Sequence, residues 1–192
     1  VGEVIGLRWK DIDFKSGSIS INHNMIYRPD RNRKCYMQIT TPKTDSGCRI
    51  IPMLPEVRDA LISERMRQMR EGFCMTEIDG YNDFIFCNRF NVPYKPEMIN
   101  KAIERIRTAY NEYEIKQAVQ EDRKPHLIRH FSVHNIRHTF CTRYCENESN
   151  IKVIQEIMGH SDIATTMNIY AEATESKKKE SFNNLEGKIK IS

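Results

Sequence analysis

Five side chains of this 192-residue chain are of the types, and at the spacing, that could break and remake a phosphodiester bond. His134, Arg137, His160 and Tyr170 follow one another in the last third, and Lys43 lies far upstream in Thr41-Pro42-Lys43-Thr44. A phenolic oxygen can attack phosphorus and store the broken bond as a phosphotyrosyl ester. Imidazole and guanidinium groups can hold the charge of the crowded phosphoryl transition state. That chemistry needs neither water nor metal.

Each residue has a plainer reading beside the chemical one. His134 and Arg137 are three apart, so on a helix capped by Ser132 they share one face. They fall in or just past its first turn, where unpaired backbone N–H groups already favour an anion. An arginine fork there can meet two phosphate oxygens at once. Taken alone, the pair would be a surface histidine and a salt-bridged arginine. Gly159 ends one helix and Ser161 is expected to cap the next, which leaves His160 at a tight corner, either capping the helix before it or donating to a phosphate. Tyr170 is one of eight tyrosines. As a nucleophile its proton, with a pKa near ~10, must be removed or its pKa lowered, which a cluster of cations assists. Lys43, in a hairpin, can protonate a departing sugar hydroxyl or be solvated decoration.

His126, His130, His134 and His138 recur every fourth residue and raise the question of a metal. Pro125 and the Phe131-Ser132 cap put the first two off the helix that carries the others, and no Glu-x-x-His or carboxylate triad accompanies them. No metal or cofactor is therefore expected, and His138 is expected to pack beneath the active face.

The elements that must position these groups are legible in part. Residues 1–9 have a helical apolar pattern. Segments 18–28, 35–41 and 48–53 read as three strands of one small antiparallel sheet, with turns at Pro29-Asp30-Arg31-Asn32 and Asp45-Ser46-Gly47, so that Lys43 sits at the rim between the second and third. Pro55 opens a helix with Val57, Leu61, Ile62, Met66 and Met69 at helical spacing, residues 84–87 read as a short strand, and Pro96 opens a helix with Met98, Ile99, Ala102, Ile103 and Ile106 facing inward. The charged stretch 110–124 reads as a solvated extension or insertion that Pro125 ends. Ser132 and Ser149 or Asn150 cap the helices that follow. The expected class is α+β: a mainly helical domain with a small three-stranded antiparallel sheet at one edge.

Composition sets broad limits. The chain is long enough for one domain with a true core. Its charged fraction of 29% and net charge of +4 are those of a mildly basic globular protein, and most such proteins bind no nucleic acid. No apolar run approaches ~18 residues and no signal peptide is present, which makes a cytoplasmic, non-membrane protein the expectation. Six scattered cysteines without a Cys-x-x-Cys pair read as reduced thiols.

Four stretches together resemble the catalytic domain of the tyrosine recombinases, the phage and transposon integrase family: GEVIGLRWKDIDF at 2–14, TPKTDSGCRIIPM at 41–53, HNIRHTF at 134–140 and MGHSDIATTMNIY at 158–170. The resemblance implies Tyr170 as nucleophile, Lys43 as general acid, Arg137 as the second catalytic arginine, and His134 and His160 as phosphate-binding histidines. It also implies that the family's first catalytic arginine would stand just ahead of Val1, supported by Glu3, so that residues 1–192 alone are expected to be weak or inactive. Asn135 stands where the family often has aspartate, and 110–130 is longer than usual. The implied activity is site-specific recombination, integrating or excising a mobile element through a 3′-phosphotyrosyl DNA intermediate without cofactor. The implied partners are double-stranded DNA and further copies of the chain, as a tetramer on DNA. Residues 171–192, a charged helix and short tail, would touch a neighbouring protomer. A type IB topoisomerase-like enzyme and a catalytically silent DNA-binding fragment are the alternatives.

Overall fold

The computed structural model describes residues 1–29, 33–42 and 47–172. The chain begins with a short helix α1 (Gly2–Ile5), makes a 3-10 turn (Trp9–Asp11), and enters strands β1 (Ile12–Asp13), β2 (Ser18–Ile21), β3 (Asn24–Pro29), β4 (Cys35–Thr40) and β5 (Arg49–Pro52). Helices α2 (Pro55–Glu71), α3 (Pro96–Gln120), α4 (Val133–Asn147) and α5 (Ile151–Met158) follow, and residues 163–172 form α6. The α+β class, mainly helical with a small antiparallel sheet, is as expected.

The strands pair differently from their reading in sequence. Segment 18–28 is two strands, because Asn22 and His23 interrupt it. The His23 ring turns inward, is nearly fully buried, and bonds through Nε2 to the Gly6 carbonyl at 2.6 Å. That contact breaks the alternation and sends the two halves to different partners. β2 lies between β1 and β5 in a three-stranded antiparallel sheet, while β3 and β4 form a separate two-stranded ribbon. Ile19 pairs with Ile51 and Ile21 with Arg49 in the β2–β5 register. Lys43 lies outside the described residues, in the connection from the ribbon to the sheet.

Residues 84–87 are not a strand. Phe84 and Ile85 are both fully buried and serve different apolar clusters. Ile85 joins Leu7, Trp9, Ile12, Ile19, Ile21 and Leu61 under the three-stranded sheet, whereas Phe84 joins Ile5, Met25, Cys74 and Cys87 beside the ribbon. A backbone threading between two clusters has no single face to alternate about, so only isolated bridges form, Arg8 with Phe84 and Cys87 with Pro93. Gln68 of α2 crosses the same interior, accepting from the Trp9 indole at 2.9 Å and donating to the Ile85 carbonyl at 2.8 Å. Those bonds satisfy a polar side chain that burial would otherwise penalise.

Pro55 and Pro96 each occupy the first turn of a helix, where the missing N–H costs nothing. The apolar faces expected for these helices are only partly used. Leu61 is buried, but Met66 and Met69 of α2 and Met98 of α3 are exposed, as is Ile106 at 67%. The polar stretch after residue 110 continues α3 to Gln120. The returning loop is tied to it by Glu114, which takes the Arg123 guanidinium at 3.2 Å and the His126 backbone N–H at 2.8 Å. A third apolar cluster, Cys141, Cys145, Ile154 and Met158, joins α4 to α5, with Ile169 and Tyr170 of α6 packed against it. All six cysteines are free thiols.

Candidate active site

The site is assembled from four elements whose local sequences each determine one part of it. α4 begins at Ser132, as expected, and Asn135 completes its cap: the Ser132 backbone N–H and hydroxyl both donate to Asn135 Oδ1 at 2.9 Å. A backbone N–H of the first turn is also held from α3, Val133 donating to Asn100 Oδ1 at 3.1 Å. This start aims His134 and Arg137 along one helix face, His134 exposed and Arg137 half-buried.

α5 is capped by Asn150, whose side chain accepts from the backbone of Lys152 and Val153. It ends at Gly159 in the left-handed conformation, φ 66°, where a side chain would be strained. The His160 N–H returns to the Gln155 carbonyl at 3.2 Å, and Gln155 Nε2 donates to the His160 carbonyl at 3.0 Å. The corner is thereby held at both backbone groups of His160. Its ring is held as well, with Nδ1 2.9 Å from Oγ1 of the fully buried Thr166. With Nδ1 engaged, Nε2 is the nitrogen left to face a ligand. Burial, then the nearby cations Arg137 and Arg49, lower the His160 pKa below its ordinary value. Both influences favour the neutral ring over the imidazolium. Asp162, rather than Ser161, caps α6, accepting from the Ala164 N–H at 2.8 Å, because its carboxylate reaches the first turn directly.

Two arginines meet the C-terminal end of α5, where unpaired carbonyls favour cations. Arg137 Nη2 donates to the Met158 carbonyl. Arg49 Nε donates to the neighbouring Ile157 carbonyl at 2.9 Å. Glu3 of α1 stands by both, accepting from Arg49 at 3.0 and 2.9 Å and lying 3.8 Å from Arg137 Nη1. Burial alone would raise the Glu3 pKa, but the Arg49 hydrogen bonds and the charges of Arg49 and Arg137 outweigh it and lower it.

His134, Arg137 and His160 line one cleft of roughly 360 Å³, with Thr165 and Asn168 of α6 on its far side. His138, expected beneath this face, lines it too and is exposed. Cys141 forms part of the floor; burial and the adjacent Cys145 push its thiol up to about 11, so it stays protonated. Tyr170 is half-buried against the apolar cluster of α4 and α5 and is not part of the cleft lining. Thus three of the five candidate residues come together, the tyrosine lies on the adjoining helix, and Lys43 falls outside the described residues, as do residues 173–192. Among the described residues, no three His, Cys, Asp or Glu side chains could jointly hold a metal ion, and no helix is long and apolar enough to cross a membrane.

Arg49 bonds to the end of α5 and Thr166 to His160, but neither is singled out in the sequence. A signal for Arg49 exists: it shares strand parity with the inward Ile51 in β5, and a cation on the core-facing side must find a carboxylate. Thr166 carries no such signal, since a threonine four residues before Tyr170 is ordinary in a helix.

A profile described as "Phage integrase family" matches residues 1–177. The transposase from transposon Tn916 of Enterococcus faecalis is 38% identical over 174 residues, covering 91% of this chain and 39% of the relative. A tyrosine recombinase XerC-like protein of Caldanaerobacter subterraneus subsp. tengcongensis is 27% identical over 176 residues, 88% of this chain and 41% of the relative. Among solved structures, the Tn1549 transposon integrase in complex with circular intermediate DNA superposes with a TM-score of 0.72 at 31% identity, covering 94% of this chain and 55% of that one. The chain thus spans about two-fifths of the length of the curated relatives it matches.

Proposed function

This chain belongs to the phage integrase family, and on that premise we propose that its cleft binds the scissile phosphate of double-stranded DNA in site-specific recombination. The observation that carries the reading is the convergence of His134, Arg137 and His160 on one cleft, with Tyr170 on the helix that forms its far wall. Tyr170 gives up its phenolic proton to solvent as it attacks phosphorus, the bond to the 5′ oxygen breaks, and Lys43 gives that oxygen a proton. A 3′-phosphotyrosyl ester and a free 5′-hydroxyl result. The 5′-hydroxyl of a second strand then attacks the ester, its proton returning to Lys43, and Tyr170 leaves and regains a proton from solvent. One phosphodiester is exchanged for another, so no high-energy cofactor is required. Arg137, His134 and His160 supply charge and hydrogen bonds where the phosphoryl oxygens crowd, the term that contributes most to such catalysis.

Tyr170 packs half-buried against the α4–α5 cluster and does not line the cleft, so this reading requires its hydroxyl to reach the phosphate when DNA is bound. The remaining partners of this reading are other copies of the chain assembled on DNA, with residues 171–192 contacting a neighbouring protomer, in the cytoplasm where the DNA is. A nicked suicide duplex tests the reading in the full gene product and in residues 1–192 alone. A covalent protein–DNA adduct should form in the former, and Tyr170→Phe should abolish it with DNA affinity retained, since one hydroxyl is lost. Adduct persisting in that variant would overturn the assignment. Transfer of the bound strand to a second duplex separates recombination from topoisomerase-like rejoining.

A further inference from the structure

The site contains two guanidiniums with opposite settings. The Arg137 side chain is 40% exposed and opens on the cleft, whereas that of Arg49 is 11% exposed and is not among the cleft-lining groups. Four of the five N–H groups of Arg49 are already committed, to Glu3 twice and to the carbonyls of Ile157 and Gly47. Its plane also lies on the α5 corner, for a Cβ at Gly159 would come within 2.6 Å of Arg49 Nη1. Such an arginine has no fork left to offer a phosphate. Its bonds instead join β5, α1 and the end of α5.

We propose that Arg49 is a positioning residue of the cleavage reaction: it holds the Gly159-His160 corner against β5 and occupies the Glu3 carboxylate, so that Arg137 stays available to the phosphate. The proposal rests on the reading of the cleft as a phosphodiester-cleaving site. The distances supply its logic. Glu3 is 2.9 to 3.0 Å from Arg49 and 3.8 Å from Arg137, so the carboxylate is engaged by the less exposed cation and only attends the more exposed one. Among the described residues, the guanidinium left beside Glu3 without Arg49 is that of Arg137, and closing that short gap would draw Arg137 away from the cleft. At the same time the Ile157 carbonyl would lose its donor, one residue from the carbonyl that Arg137 itself holds. Both pillars of the phosphate clamp, Arg137 and the His160 corner, would then shift without any phosphate contact being removed. A fork is required for this, because a lysine ammonium cannot bind both carboxylate oxygens and the Ile157 carbonyl in one plane.

The test uses the full gene product and a suicide duplex. Adduct formation by the wild type and its absence in Tyr170→Phe judge the cleft itself, before any Arg49 variant is made. Arg49→Gln is then expected to slow single-turnover cleavage at saturating DNA by roughly 100-fold, the scale of an ångström's misplacement, while the Kd for DNA stays within about threefold. Arg49→Lys, which keeps the charge and serves if the glutamine variant does not fold, should remain at least about tenfold slow. Imidazole NMR adds a readout independent of rate: the His160 titration midpoint should rise in Arg49→Gln, because a neighbouring cation is gone, and stay near the wild-type value in Arg49→Lys. Cleavage by Arg49→Gln at the wild-type rate would overturn the proposal. So would full rescue by lysine, or a loss of DNA affinity matching the loss of rate, which would make Arg49 a phosphate ligand.

Discussion

Thr166 holds the ring of His160: its hydroxyl lies 2.9 Å from Nδ1, and the threonine itself is fully buried. The six-residue separation crosses the corner between α5 and α6. The helix that carries Tyr170 thereby also orients the histidine of the cleft, and any rotation of α6 that moves the tyrosine bears on the imidazole too. A hydrogen bond to one ring nitrogen selects which nitrogen is left to donate.

Thr166→Val keeps the shape of the side chain and removes that bond. Single-turnover cleavage should fall roughly 10- to 100-fold as the imidazole loses its orientation. Stability should fall by only about 0.5–1.5 kcal/mol, the net worth of one hydrogen bond. Suicide-substrate kinetics beside a thermal melt check both, and an unchanged rate would remove Thr166 from the site.

His160 is also expected to leave a mark on stability as a function of pH. Its folded pKa is lowered from 6.5 by burial and by the cations Arg137 and Arg49, so between 6.5 and the folded value the unfolded chain binds the proton more readily. Stability therefore falls as pH drops through that window. Urea midpoints at pH 7 and pH 5 should diverge more in the wild type than in His160→Gln; equal divergence would mean the ring titrates as if in water.

Lys43→Ala should slow cleavage of ordinary DNA severely, by about 10²–10⁴-fold for a lost general acid. A substrate with sulfur in the 5′-bridging position, whose thiolate leaves without a proton, should restore most of the rate. Equal losses on both substrates would assign Lys43 to binding instead.

Glu114 secures the loop that leads into α4. The Arg123 guanidinium, with the His126 N–H, lowers its pKa to about 2. A depressed carboxyl contributes stability that is fully present above its ordinary pKa of 4.5 and is lost as pH falls toward the folded value. Glu114→Gln should accordingly unfold at lower urea than wild type at pH 7, with the gap narrowing below pH 4.5. A gap independent of pH would exclude the ion pair as its source.

What the chain's sequence determines by itself is mostly helical and local. Pro55, Pro96, Ser132, Asn150 and Gly159 mark helix ends because caps and first-turn prolines act within a few residues. His134 and Arg137 share a face for the same reason, three residues being nearly one turn. The motif around Tyr170 is what suggests the proposed chemistry, since few sets of side chains suit a phosphotyrosyl exchange. The tertiary structure alone decides the rest. It divides 18–28 between a sheet and a ribbon, since a strand's partner is set by long-range packing and the inward turn of His23 overrides the alternation. It also turns Tyr170 toward the α4–α5 cluster, because the packing of α6 sets which side of that helix is covered. Arg49 reaches Glu3 across 46 positions, a pairing that no local pattern encodes: a little-exposed cation must be neutralised by whichever carboxylate the fold brings beside it, and that choice is made only when α1, β5 and α5 have packed.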